Sequence, residues 1–191
     1  MTLRWITSLS VMMISALGAR DIGIGQSNDL DALAERLTHR FSEIQHLAAS
    51  DIESLPRDRI VVFDVREPAE FSVSHLPGAI NVSPDLDADE FLTKYGDALR
   101  EKTAIFYCSV GVRSSKLAAS ITRQASVNGT NLETANLRGG IFAWHNDGRL
   151  LTRNGQPTRN VHPYNDHWDR YLRDKAASAY TSQQNIPFYT L

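Results

Sequence analysis

Apolar residues follow two different rhythms along the chain. In SNDLDALAERLTHRF, Leu30, Leu33, Leu37 and Phe41 recur three and four positions apart, which predicts an amphipathic helix capped by Asn28 or Asp29. The β-branched run Ile60 to Phe63 in RIVVFDVREPAEF is too short for a helix and apolar on both faces. It predicts a buried parallel strand ending at Asp64 and Arg66. Pro68 opens a short helix that the HLPG turn, His75 to Gly78, must close, and a second strand follows around Ala79 to Val82. DLDADEFLTKYGDAL reads as an acidic linker. A third buried strand, Thr103 to Tyr107, leads straight into Cys108, and from Ser114 onward Leu117, Ala118, Ile121 and Ala125 repeat at helical spacing. After the polar SVNGTN comes a last strand near Thr134 to Leu137, and RGGIFAWHNDG turns into a short helix. Strands alternating with helices give an α/β domain with a mainly parallel sheet, without internal repeats or low-complexity tracts.

Both ends extend beyond this pattern. At the start, MTLRWITSLSVMMISALGARD places Arg4 before an apolar stretch from Trp5 to about Leu17 and then small residues, the order of a secretory signal. Residues 1–27 are therefore expected to be a leader that directs the protein to the periplasm or outside the cell. The alternatives are an uncleaved anchor or a disordered leader, and a cytoplasmic location. The domain with its preceding helix is expected over 28–152. Beyond it, 153–191 forms an extension that packs back on the domain, with a His-Pro-Tyr-Asn turn and a helix from about Asp166 that sets Trp168 and Leu172 four apart. The last residues are expected to dock through Phe188 and Tyr189 or to stay disordered.

Composition narrows the function. A formal charge of −2 and no Lys/Arg run argue against nucleic acid as a partner. With one cysteine, the chain has no internal disulfide, no Cys-rich zinc site and no resolving thiol of its own. His162 and His167 lack metal-ligand spacing, so no metal and no cofactor is expected.

The position of that cysteine gives it chemistry. Cys108 closes a buried strand and precedes a helix, where α/β sheets place ligand crevices. The loop and helix-start N–H groups favour an anion there, which can be the thiolate itself, and Arg113 adds a positive charge. Gly111 allows a positive φ that lets successive amides converge, and the Ser114 hydroxyl can donate to the sulfur or its adduct. Arg66, Glu67 and His75 are expected in structural roles, Gly139 and Gly140 in close backbone packing, Trp144 in anchoring the following helix, and His145 at the surface.

FDVREPAEFSVSHLPGAINV at 63 to 82, AIFYCSVGVRSS at 104 to 115 and LRGGIFAWHNDG at 137 to 148, in this order and spacing, resemble the rhodanese family over roughly Ile44 to Leu151. The resemblance implies an α/β domain with a central, mainly parallel five-stranded sheet flanked by helices, here with helical extensions at both ends. It implies a sulfurtransferase. Cys108 takes a sulfane sulfur from a small anionic donor such as thiosulfate, carries it as a persulfide and passes it to a thiophilic acceptor such as cyanide or a thiol. On this chain Ser109, Val110, Gly111 and Val112 would supply the substrate cradle, with Arg113 and Ser114 beside it, while Asp64 and Arg66 would support the domain. The stretch from Cys108 through Arg113 has six residues, the length of the family's sulfurtransferases; the related phosphatases have one more, so phosphatase activity is disfavoured.

Two other readings fit an intact loop. One is a delivery or binding module that exchanges sulfur with a dedicated protein donor or acceptor and turns over little thiosulfate. The other is a redox sensor whose thiolate is oxidised to a sulfenate and restored by an external thiol.

Overall fold

The computed structural model describes residues 24–181. The expected leader and the Phe188–Tyr189 docking lie outside the described residues. Helix α1, Ile24–Arg40, buries Leu30, Ala34 and Leu37. The face predicted from Leu30, Leu33 and Leu37 is the face used, but the helix already runs through Asn28 and Asp29, so neither is its cap.

Five short strands form one all-parallel sheet: β1 Gln45–Leu47, β2 Ile60–Asp64, β3 Ile80–Asn81, β4 Thr103–Tyr107 and β5 Thr134–Leu137, in the order β1-β5-β4-β2-β3. Strand β4 lies at the centre, and its register sets Asp64 beside Tyr107 and Asn136 beside Phe106. Alternate residues feed opposite faces, as the two-residue period of a strand requires. Phe63, Ala104 and Phe106 pack with Phe91 and Ile121 under α4, Ala88–Tyr95, and α5, Val112–Val127. Here the Phe63 ring meets Phe91 edge-on at 5.0 Å and stacks on Phe106 at 5.3 Å. Val62, Ile105 and Tyr107 face the other way, toward α2, Ala49–Ser54, and α6, Gly140–Asn146. The segment expected to be an acidic linker thus contains a helix, α4, whose N-cap Asp87 accepts from the Asp89 and Glu90 amides and whose Phe91 is fully buried.

Helix α3, Pro68–Val73, follows β2, and an antiparallel ribbon, β6 Leu151–Arg153 with β7 Gln156–Thr158, follows α6. The ribbon crosses the expected boundary at 152/153. The chain after it packs on the α2/α6 face through Val161, Tyr171, Leu172 and Ala177. Its helix, α7, is a single turn, Asp166–Asp169, capped by Asn165, so the longer helix expected from Asp166 does not form. His145, expected at the surface, is only 8% exposed, because α6 turns it toward the start of this extension. No described helix is long and apolar enough to cross a membrane.

Candidate active site

Cys108 follows β4 directly and is 1% exposed. Its Sγ accepts a hydrogen bond from the Gly111 amide at 3.2 Å. Gly111 has φ +100°, and the helix begins at the next residue. A side chain there would be strained and would press on Asn136 Nδ2 and Leu37. The loop is held from behind as well: the Ile141 and Phe142 amides, at the start of α6, donate to the carbonyls of Cys108 (2.9 Å) and Ser109 (3.1 Å). Gly140, at φ +61°, makes this docking possible, since a Cβ would overlap both carbonyl oxygens. The close backbone packing expected of the Gly139-Gly140 pair is therefore found.

A polar clamp closes one side of the loop. Arg113 donates to both carboxylate oxygens of Glu70, at 2.8 and 2.9 Å, and to Ser109 Oγ at 3.1 Å, while Ser109 Oγ donates to Glu70 Oε1 at 3.0 Å. Burial opposes the charge on Glu70, but the Arg113 hydrogen bonds and the Arg113 and Arg66 charges outweigh it and hold its carboxyl below the usual range. Burial also works against Arg113, yet Glu70 and the nearby Cys108 sulfur raise its pKa, so it stays charged. Glu70 is the residue that the sequence left invisible: nothing in PAEF signals a partner 43 positions away.

The expected loop residues divide by role. Ser109 and Val110 are nearly buried, and Val112 is 39% exposed at the rim. Ser114 faces away: its hydroxyl donates to Asn136 Oδ1 at 2.6 Å, so the expected bond to the sulfur is not formed. That preference is physical, because Asn136 is a buried acceptor one strand over and would otherwise lose a partner. Lys116 is exposed on α5.

Asp64 and Arg66 form a second, deeper centre. Both side chains are 0% exposed; Arg66 Nε donates to Asp64 Oδ1 at 2.9 Å and Nη2 to Oδ2 at 2.6 Å. Tyr107 OH donates to Asp64 Oδ2 at 2.6 Å and accepts from the Leu76 amide, and Arg66 Nη2 also donates to Ser74 O. Burial, followed by the Asp64 charge, drives the Tyr107 pKa well up, so the phenol keeps its proton and donates. The network ties the C-terminal ends of β2 and β4 to the turn after α3, and so fixes the helix that carries Glu70. Arg66 thus pairs with Asp64, and Glu67 is an exposed residue at the start of α3. His75 is the bonded turn histidine expected of it, with Nδ1 at 3.1 Å from Phe71 O and its ring stacked on Phe71.

Above the sulfur lies a cavity of about 180 Å³ lined by Cys108, Ser109, Val110, Val112, Arg113, Tyr164 and Trp168. The last two come from the C-terminal extension, and the Arg113 guanidinium sits 4.9 Å from the Tyr164 ring centroid. Trp168 was legible only as a helix-spaced apolar residue, and Tyr164 only as part of a turn. Among the described residues no group of three or more His, Cys, Asp or Glu could hold a metal ion.

A family model, the rhodanese-like domain, matches residues 48–147, just over half of the chain. The chain belongs to the rhodanese-like domain family. Among curated relatives, it is 35% identical over 96 residues to the thiosulfate:glutathione sulfurtransferase of Saccharomyces cerevisiae, covering 43% of this chain and 68% of that protein. It is 31% identical over 87 residues to a probable adenylyltransferase/sulfurtransferase MoeZ of Mycobacterium tuberculosis, covering 45% of this chain but only 20% of that protein. The chain therefore spans about a fifth of this larger relative. A thiosulfate sulfurtransferase structure from Pseudomonas aeruginosa overlaps 77% of this chain and 27% of that one, at 22% identity and a TM-score of 0.48. At that identity and score it carries no functional weight. The rhodanese-like match covers the cysteine loop and the Asp64–Arg66 centre, and ends before Tyr164 and Trp168.

Proposed function

We propose that this rhodanese-like protein is a sulfurtransferase that works through a Cys108 persulfide. The observation that carries the reading is the placement of Sγ: at the end of the central strand, bonded to the Gly111 amide and opening on a small cavity. The Cys108 thiolate attacks the sulfane sulfur of the donor. A new S–S bond forms on Sγ, the donor's own S–S bond breaks, and its remaining sulfur group leaves with the electron pair, as sulfite when the donor is thiosulfate. An acceptor thiolate or cyanide then attacks the outer sulfur and returns Cys108 as thiolate. No proton need move in the first step, which suits a cavity whose lining, among the described residues, includes no histidine. The N–H of Gly111 supports the negative sulfur in each form. The order of basic and apolar residues in the leader supports export, where the acceptor would be an external thiol.

One observation favours a protein partner over free thiosulfate: Arg113, the only cationic side chain at the cavity among the described residues, is already paired with Glu70. The test is the intact mass of the purified protein after thiosulfate and then after cyanide, with Cys108→Ser as control. Gain of one sulfur atom, its loss to cyanide with thiocyanate release, and neither in the variant are expected. If no sulfane donor adds sulfur to Cys108, the reading fails.

A further inference from the structure

The extension after β7 contributes more than packing. Between Pro163 and Asn165 the backbone makes a three-residue turn, with the Asn165 amide donating to Pro163 O at 2.9 Å. Its central residue, Tyr164, has φ +69°, a conformation that is rare and strained for a bulky side chain. The turn is pinned by the Tyr164 amide, which donates to His162 Nδ1 at 2.9 Å, and the His162 ring is 9% exposed against Tyr180. The structure thus holds a strained residue in place, and Tyr164, 45% exposed, lines the Cys108 cavity. Strain maintained at such a place points to function. Beside it, Trp168 is held against Tyr171, 5.7 Å between ring centroids.

These rings change what the cavity can bind. Among the described residues its lining holds two valines, two aromatic rings and one cation, Arg113, which is engaged bidentately by Glu70. An inorganic dianion entering it would lose water without gaining an unpaired cation. A donor that carries an apolar or aromatic group beside its sulfane sulfur would lay that group on Tyr164 and Trp168. We infer that Tyr164 and Trp168 are specificity-determining residues that select organic sulfane-sulfur donors over inorganic ones. This rests on Cys108 being the sulfur carrier.

Benzenethiosulfonate and thiosulfate separate the two classes. With the aryl donor, the Cys108 thiolate takes the terminal sulfur, the bond between that sulfur and the sulfonyl sulfur breaks, and benzenesulfinate leaves with the electron pair. The full-length protein is loaded with each donor, and the rate of sulfur gain is followed by intact mass. The aryl donor is expected to be preferred in kcat/KM by about tenfold or more, within the range that apolar contacts provide. Tyr164→Gly, which accepts the positive φ, and Trp168→Ala should each erase most of that preference, and Tyr164→Phe, which keeps the ring, should retain it. An equal or better rate with thiosulfate in the wild type, or an equal loss with both donors in the variants, overturns the inference. If neither donor adds sulfur, the persulfide reading itself fails, and the inference falls with it.

Discussion

Two arginine–carboxylate pairs stand near the C-terminal ends of β2 and β4, alike in chemistry and different in surroundings. Asp64–Arg66 is fully enclosed and shares its carboxylate with Tyr107; in Glu70–Arg113 the glutamate side chain is 3% exposed but the arginine side chain, which borders the cavity, is 24% exposed. The first has no access to a ligand and can only hold backbone. The second holds the loop and at the same time engages the guanidinium that borders the cavity. Burial of the arginine therefore distinguishes a pair that builds the site from one that tunes it.

The largest effect should come from breaking the enclosed pair. Asp64→Ala leaves Arg66 charged and unpaired in the interior and removes the acceptor of Tyr107. It should destabilise the fold by about 3–5 kcal/mol, read as a lower urea midpoint with little change in slope. A loss within the scatter of surface mutations would show that water reaches Arg66 and that the enclosure is not what matters. The pair at the cavity should respond differently. Glu70→Gln should cost only about 1–2 kcal/mol, because Arg113 can turn to solvent. With Arg113 released, KM for thiosulfate should fall by roughly threefold to tenfold. If KM rises instead, Glu70 serves to aim Arg113 at the donor rather than to occupy it.

How much of this was legible in the sequence follows from the range of each signal. β4 and β5 were placed to the residue, and Gly111's positive φ was anticipated, because a buried strand and a glycine before a helix are local signals. β1 was not seen: QHL is a three-residue edge strand whose apolar content is one leucine. Helix α4 was hidden by its acidic surface, although Phe91, Leu92 and Tyr95 carried its inner face. The cysteine loop was found through Cys108 and Arg113, while the residue that engages Arg113 and the rings that roof the cavity were not. Glu70, Tyr164 and Trp168 reach the loop only through tertiary folding, across 43 positions in the case of Glu70 and Arg113. Ser114 was misassigned for the same reason: its acceptor, Asn136, lies 22 positions away on the neighbouring strand.

The smallest effect expected is the pH dependence of the cavity pair, and it sharpens the comparison without new chemistry. Glu70 is held below its usual value of 4.5, so the folded state binds its proton less readily than the unfolded chain does. The stabilisation is fully present above about pH 4.5, and it is lost as pH falls through the lower folded value. His46, His145 and His162 are also held below 6.5, mainly by burial, so they too weaken the fold toward acid, starting at higher pH. Subtraction isolates the carboxylate: the stability difference between wild type and Glu70→Gln, measured by urea at a series of pH values, should be constant from pH 8 to about 5 and shrink below that. The His46 and His145 contributions cancel in the difference because neither feels the Glu70 charge and both proteins carry them. A difference that grows between pH 7 and 6 would mean that Glu70 is coupled to His162, which feels its charge, and the clamp would then extend into the turn that holds Tyr164.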